Sequence, residues 1–233
     1  MFFTEQGQAF WLKVYDIPEF AKNQKGRAIQ NMLNTSESNK VTAFLKVESF
    51  ADAEFNDSHY LVFVTEKGIV KKTKLAAYSR PRANGIIALG LREDDRLIRV
   101  TLTDGNSQML VASYNGKVVR FPEDTVRPMG RTATGVRAIK LDEDGKDRVV
   151  GMICVEESSK ESVLVISEKG FGKRTDLDDE NGKPIYRITN RGGKGVKTMN
   201  LTDKTGNLIG LEAVTDEQDL MLITKSGTAI RMA

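Results

Sequence analysis

Apolar and polar positions along this chain repeat as a unit that returns five times. Each copy has a short apolar run, then Ser or Thr, two polar residues, Gly, and a strand that mixes basic and apolar residues. The copies are Phe2 to Gly7, Phe63 to Gly68, Val111 to Gly116, Val165 to Gly170 and Leu222 to Gly227. Runs such as Tyr60 to Val64 and Ser162 to Ile166 have the apolar, β-branched character of buried strands. The glycine then falls where a tight hairpin needs positive φ. Asn115-Gly116 is the strongest dipeptide for such a turn, and Thr65-Glu66-Lys67-Gly68 suits a three-residue loop closed by Gly. Second strands are therefore expected over Ile69 to Thr73, Lys117 to Phe121 and Phe171 to Thr175.

A second glycine follows 17 to 25 residues later, at Gly26, Gly85, Gly135 and Gly195. Each precedes another apolar strand, as in Gly85 to Leu89 or Gly195 to Met199, and each follows a polar, basic stretch: 22–25, 80–84, 131–134 and 190–194. A last strand rises from an acidic turn, as over Asp94 to Val100. Four strands per unit, with hairpin glycines 61, 48, 54 and 57 residues apart, exceed ankyrin and leucine-rich periods and fit four-stranded, propeller-type blades. Helical periodicity is confined to a turn or two at Asp16 to Asn23 and Leu75 to Ser79. The reading is one all-β domain over residues 1–233, of about five to six four-stranded blades. Both termini fall inside a repeat, so the chain is expected to be a fragment cut mid-blade at each end, or else a ring whose ends pair with each other.

Net charge is only +3, so bulk charge does not argue for a nucleic-acid partner. Its distribution does. Residues 66–92 hold seven bases and one acid, residues 117–140 six bases and two acids, and residues 141–162 seven acids and three bases. A basic residue stands four places after the hairpin glycine in four of five copies (Lys72, Arg120, Arg174, Arg231), with Trp11 in the first. A fixed offset in successive blades predicts one basic rim. The candidate contacts are Lys71, Lys72, Arg80, Arg82, Lys117, Arg120, Arg127, Arg131, Arg137, Lys173, Arg174, Arg191, Lys194 and Lys197. Without interleaved aromatics this stripe fits phosphate contact on a bent duplex better than single-strand stacking or base reading.

Catalytic chemistry finds little support. His59 is the only histidine and has no second ligand or nucleophile at a telling spacing. Asp176-Leu177-Asp178-Asp179-Glu180 matches no calcium loop and reads as a solvated connection. Arg191-Gly192-Gly193-Lys194-Gly195 is glycine-rich, but no Walker pattern follows. The single Cys154 lies in an apolar run, which suits a reducing compartment and a buried strand thiol. Trp11, Met129 and Met199 read as core or seam packing. No apolar stretch approaches the ~20 residues of a membrane span, and the start lacks a signal-peptide pattern. A cytoplasmic, nucleoid-associated protein with no membrane partner is expected.

The segments Met129 to Arg137, Gly68 to Thr73, Gly116 to Phe121 and Gly170 to Thr175 closely resemble the C-terminal domain of bacterial DNA gyrase A, over essentially the whole chain and in the family's motif order. The resemblance implies a β-pinwheel, usually of six blades, that wraps duplex DNA around a basic rim with positive handedness. It implies a non-catalytic part of an ATP-dependent type IIA DNA topoisomerase that introduces negative supercoils. Its partners would be duplex DNA, the N-terminal breakage-reunion region of the same polypeptide, and gyrase B in the holoenzyme. No cofactor is expected in this fragment; ATP and Mg act elsewhere in the holoenzyme. The family's Gln-Arg-Arg-Gly-Gly-Lys-Gly box precedes the first hairpin, in a stretch this chain does not hold. Arg191 to Gly195 is a box-like segment in the fourth repeat, from which DNA contact alone is carried over. Two other readings stand beside this one: the equivalent C-terminal domain of topoisomerase IV, which directs decatenation, and a propeller-type platform that binds protein through an apolar top face.

Overall fold

Each hairpin glycine closes a two-stranded ribbon, and the first four ribbons recruit further strands from beyond their own hairpin. The computed structural model describes every residue except Lys22, Glu37, Asp144, Glu157, Ser158 and Ala233. Lys22 of the basic stretch before Gly26, and Asp144 and Glu157 of the acidic segment, thus lie outside the described residues.

In chain order the strands are β1 (Phe2–Thr4), β2 (Gln8–Phe10), β3 (Val41–Phe44), β4 (Tyr60–Thr65), β5 (Ile69–Lys74), β6 (Ile86–Ile87), β7 (Leu97–Thr103), β8 (Gln108–Ser113) and β9 (Lys117–Pro122). They continue with β10 (Val136–Arg137), β11 (Val149–Val155), β12 (Ser162–Ser167), β13 (Gly172–Asp176), β14 (Val196–Lys197), β15 (Leu208–Val214), β16 (Leu220–Ile223) and β17 (Ala229–Met232). They form antiparallel sheets ordered β3-β1-β2-β6, β10-β5-β4-β7, β11-β8-β9-β14, β13-β12-β15 and β16-β17. Five repeats thus give five sheets. Among the described residues three have four strands, the fourth has three, and the fifth is a lone hairpin.

The order within each complete sheet reveals an exchange. The two-residue strand after Gly85, Gly135 and Gly195 leaves its own repeat and completes the sheet of the preceding one. Ile86 pairs with Ala9, Val136 with Val70, and Val196 with Val118. Just beyond it, an amide donates to the preceding hairpin glycine: Ala88 to the Gly7 carbonyl, Ala138 to Gly68 and Thr198 to Gly116, at 2.8–2.9 Å. This exchange explains the second glycine. Gly135 has φ +105° and a Cβ there would sit 2.4 Å from the Val70 carbonyl oxygen; Gly195 has φ +76° and would meet the Val118 oxygen at 2.5 Å. Only Gly allows that approach in that conformation. Gly26 lacks both features, and the strand expected after it does not form; residues 26–29 lead instead into α1 (Gln30–Leu33). By the pattern of the other repeats that strand would join a sheet ahead of β1, and the described residues hold none.

The core lies in the seams between blades. β4 is buried on both faces: Leu61 and Phe63 pack with Phe3, Tyr78 and Leu97, whereas Val62 and Val64 pack with Met109, Val111 and Phe121. β8 repeats this, with Leu110 and Ala112 facing Val163, Val165 and Leu211 in the next seam. Period-two alternation therefore serves two seams at once. Met199 is buried and Met129 partly buried in these seams, and Trp11 packs against the first. Of the helical turns expected over Asp16 to Asn23, the described residues show only a 3-10 turn at Val14–Asp16, while Leu75–Tyr78 does form a 3-10 helix. α2 (Ala53–Ser58) falls outside the expected elements, although its signal is present in the sequence: Asp52 is its N-cap, accepting from the Phe55 amide at 3.0 Å.

Candidate nucleic-acid interface

The cations at the fixed offset from the hairpin glycine do not form a rim in the complete blades. Lys72 is 4% exposed. Its Nζ lies 3.5 Å from the buried Glu123 carboxylate and donates to the Glu123 carbonyl at 3.2 Å, while sitting over the Tyr60 ring. Glu123 follows β9, so this contact joins consecutive blades. Thr103 Oγ1 and the Ser107 amide donate to the same carboxylate. Arg120, also 4% exposed, repeats the arrangement one blade on: Nη1 donates to the Leu177 carbonyl at 3.4 Å and lies 3.6 Å from Asp178. Glu123 and Leu177 each stand seven places after their own hairpin glycine. The backbone reinforces the clasp, since the Lys72 and Arg120 carbonyls accept from the Met129 and Thr189 amides at 2.7 and 2.9 Å. The recurring cation is a seam clasp. A group so buried and paired cannot reach a phosphate, which corrects the rim expectation for Lys72 and Arg120.

Lys71 requires the same correction. It is fully buried, and its Nζ donates to the carbonyls of Ala88 (2.5 Å), Arg131 (2.5 Å) and Gly130 (3.3 Å). Burial, helped by the Arg131 charge, pulls its pKa down to about 7. Lys173 and Arg174 occupy the matching positions in the fourth repeat but are exposed; Lys173 donates to the Thr198 carbonyl and Arg174 pairs with Asp216 at 2.5 Å. Half-buried Lys117 pairs with Asp142 at 2.5 Å.

The exposed cations gather on the second-glycine loops and the exchanged strands. Arg80 and Arg82 precede Gly85, Arg127 and Arg131 precede Gly135, and Arg191 and Lys194 precede Gly195. Arg137 and Lys197 sit on the exchanged strands β10 and β14, each at the end of its sheet. All are exposed except half-buried Arg131, read residue by residue along the chain. Arg80, Arg82, Arg127, Arg137 and Lys194 make no ion pair among the described residues.

Successive loops lock together. The Gly90 amide donates to the Ala133 carbonyl, the Gly192 amide to Ala138, and the Lys140 amide to Gly193. Arg131 Nη1 reaches the Ile87 carbonyl at 3.5 Å and Arg191 Nε the Thr125 carbonyl at 3.2 Å. The result is a basic track along the same edge of consecutive sheets. It holds two clefts, one of about 390 Å3 lined by Arg80, Arg82 and Arg131, the other of about 430 Å3 lined by Arg187, Arg191 and Lys194. Arg187 is a further cation of this track that the fixed offset misses, although it lies in the basic approach to the fourth second glycine.

Side chains with other chemical readings have structural roles. His59 stacks on Phe55 at 3.8 Å, with Nδ1 3.0 Å from the Phe55 carbonyl at the end of α2. In the acidic run, Asp176 accepts from Ser162, Asp178 pairs with Arg120, and Asp179 accepts from the Asn181 and Lys183 amides, forming a turn. Cys154 packs against the second seam, where burial pushes its thiol pKa far up. No helix among the described residues is long and apolar enough to cross a membrane.

Comparison with known proteins bears on this track. The family model described as "DNA gyrase C-terminal domain, beta-propeller" matches residues 1–48, 59–104, 108–156, 161–215 and 218–233. The chain is 41% identical over 232 residues to DNA gyrase A of Staphylococcus aureus strain NCTC 8325, covering all of this chain and 25% of that protein. It thus spans about a quarter of the length of such relatives. Among solved structures, the C-terminal domain of a DNA topoisomerase IV superposes with TM-score 0.83 at 24% identity, covering 99% of this chain and 68% of that one. A DNA gyrase A C-terminal domain superposes with TM-score 0.76 at 21% identity, covering 99% and 70%. At those identities the likeness is one of fold. The exchanged-strand blades and the family match agree: this chain belongs to the DNA gyrase C-terminal domain family.

Proposed function

We propose that the chain binds duplex DNA along the basic track and bends it, acting as the wrapping module through which a gyrase introduces negative supercoils. The observation that carries this reading is the set of solvent-reaching cations without ion pairs (Arg80, Arg82, Arg127, Arg137 and Lys194) on interlocked loops along one edge of successive sheets. Cations spread over a curved edge contact phosphates without reading bases. Bending a short duplex costs several kcal/mol (roughly 1–6), so many such contacts must act together to offset it. In this reading the chain itself breaks no DNA. Strand passage belongs to the breakage-reunion region of the full-length polypeptide, and ATP and Mg act elsewhere in the holoenzyme that gyrase B completes. The test is ligation of nicked plasmid in the presence of the chain. Wrapping shifts the linking number, and the sign of the shift reports handedness; an unchanged topoisomer distribution at saturating protein would refute it.

A further inference from the structure

The buried ammonium of Lys71 lies beneath the place where two loops of the basic track meet. Its three acceptors are all neutral carbonyls. Ala88 follows exchanged strand β6, and Gly130 and Arg131 belong to the loop of the next repeat. An ammonium has three N–H donors, and here each has a carbonyl. The matching residue of the third repeat is Val119, and that of the fourth, Lys173, bonds the Thr198 carbonyl of its own repeat and no other acceptor among the described residues. Among these matching positions, Lys71 is the one that ties its own second-glycine segment to the following loop, beside the Gly90–Ala133 and Arg131–Ile87 hydrogen bonds that cross the same junction. That loop carries Arg131, whose guanidinium lines the same cleft as Arg80 and Arg82.

We infer that Lys71 is a positioning residue for DNA binding: it holds the backbone of Gly130 and Arg131 so that Arg131 completes a basic notch with Arg80 and Arg82 that receives backbone phosphates. The inference rests on the proposed DNA-binding track, though Lys71 itself touches no DNA. It adds a proton linkage. A neutral amine offers two donors to three carbonyls, so the hold weakens when Lys71 loses its proton, and burial brings that loss near neutral pH. The titratable and charged groups packed around it are Arg131 and Tyr78, whose hydroxyl donates to the same Ala88 carbonyl. Phosphates bound in the notch favour the ammonium, so duplex binding takes up a proton.

Two arms test this. In the free chain, Lys71→Met speeds amide exchange at Gly90, whose hydrogen bond to the Ala133 carbonyl closes the loop, and at Ala133, which donates to Gly130; Val165 in β12 is unchanged. Unchanged exchange at Gly90 and Ala133 overturns the positioning role whether or not the chain binds DNA. In the binding arm, Lys71→Met and Arg131→Ala each weaken binding of a duplex of about 40 base pairs about threefold or more, and the double variant binds no more weakly than the worse single one. Multiplying losses place Lys71 outside the Arg131 notch and overturn the inference. Should Lys71→Met fail to fold, calorimetry of the His59→Gln chain in buffers of different ionisation heat decides: proton uptake on duplex binding slightly above neutral pH supports the linkage, and none overturns it. Absence of any duplex binding by the wild-type chain sinks the proposed function, while the exchange arm still judges the Lys71 hold.

Discussion

Lys71 and Lys72 in the second repeat, and Lys173 and Arg174 in the fourth, occupy the same two positions after a hairpin glycine. The first pair is buried and the second exposed. Local sequence does not separate them, since β5 and β13 both pair with an apolar partner strand. The neighbours do. β5 is covered by exchanged strand β10 and by the loop carrying Met129 to Arg131, whereas β13 is an edge strand among the described residues. One repeat position thus serves as a seam clasp where a following blade covers it and as a surface cation where none does.

The largest test of that contrast is to remove the acid from each pair. Glu123→Ala strands the Lys72 ammonium in the seam and should cost about 3–5 kcal/mol by urea unfolding. Asp216→Ala, opposite exposed Arg174, should cost less than ~1 kcal/mol. Equal losses would erase the distinction between clasp and surface pair. The glycines give the next contrast. Gly135→Ala combines left-handed φ with a 2.4 Å approach to a carbonyl and should cost roughly 2 kcal/mol or more, whereas Gly26→Ala meets nothing and should be near neutral. Thermal midpoints of the two variants decide this.

A smaller effect comes from pH. Lys71 has a folded pKa of about 7 against an ordinary 10.5, so between those values the unfolded chain binds the proton more tightly. Stability therefore rises with pH across that window, by up to ~1.4 kcal/mol per pH unit, and this gain is absent below about pH 7. Unfolding measured on either side of that folded pKa should show the slope in the wild type and lose it in Lys71→Met. The last contrast concerns DNA. Arg80→Glu with Arg82→Glu should lower the log–log salt slope of duplex binding by about 0.9 for each phosphate no longer neutralised, while Lys72→Met leaves it unchanged. A slope that responds to Lys72 instead would move the interface into the seams.

Much of the repeat was legible locally. Alternating apolar runs marked β4, β8 and β12, and the Asn115-Gly116 and Thr-Glu-Lys-Gly turns closed their hairpins, because both signals act within a few residues. The basic stretches before Gly85, Gly135 and Gly195 were visible too, and they became the track. The recurring cation misled because its exposure depends on residues more than 50 positions away: Glu123 for Lys72, Asp178 for Arg120. The two-residue strands β6, β10 and β14 are too short to carry a periodicity, and nothing in their composition names the sheet they join.

By itself, then, the sequence determined the hairpins, the five-fold repeat, the family and the positions available to cations, since turn chemistry and alternation are written in neighbouring residues. Tertiary structure decided which cations face solvent. Strand exchange lays each second-glycine segment across the preceding hairpin, burying Lys71, Lys72 and Arg120 and lifting Arg80, Arg82, Arg137 and Lys194 to the edge. A charge leaves water only where a following blade supplies carbonyls and a carboxylate to receive it, and that supply is a property of the assembled fold.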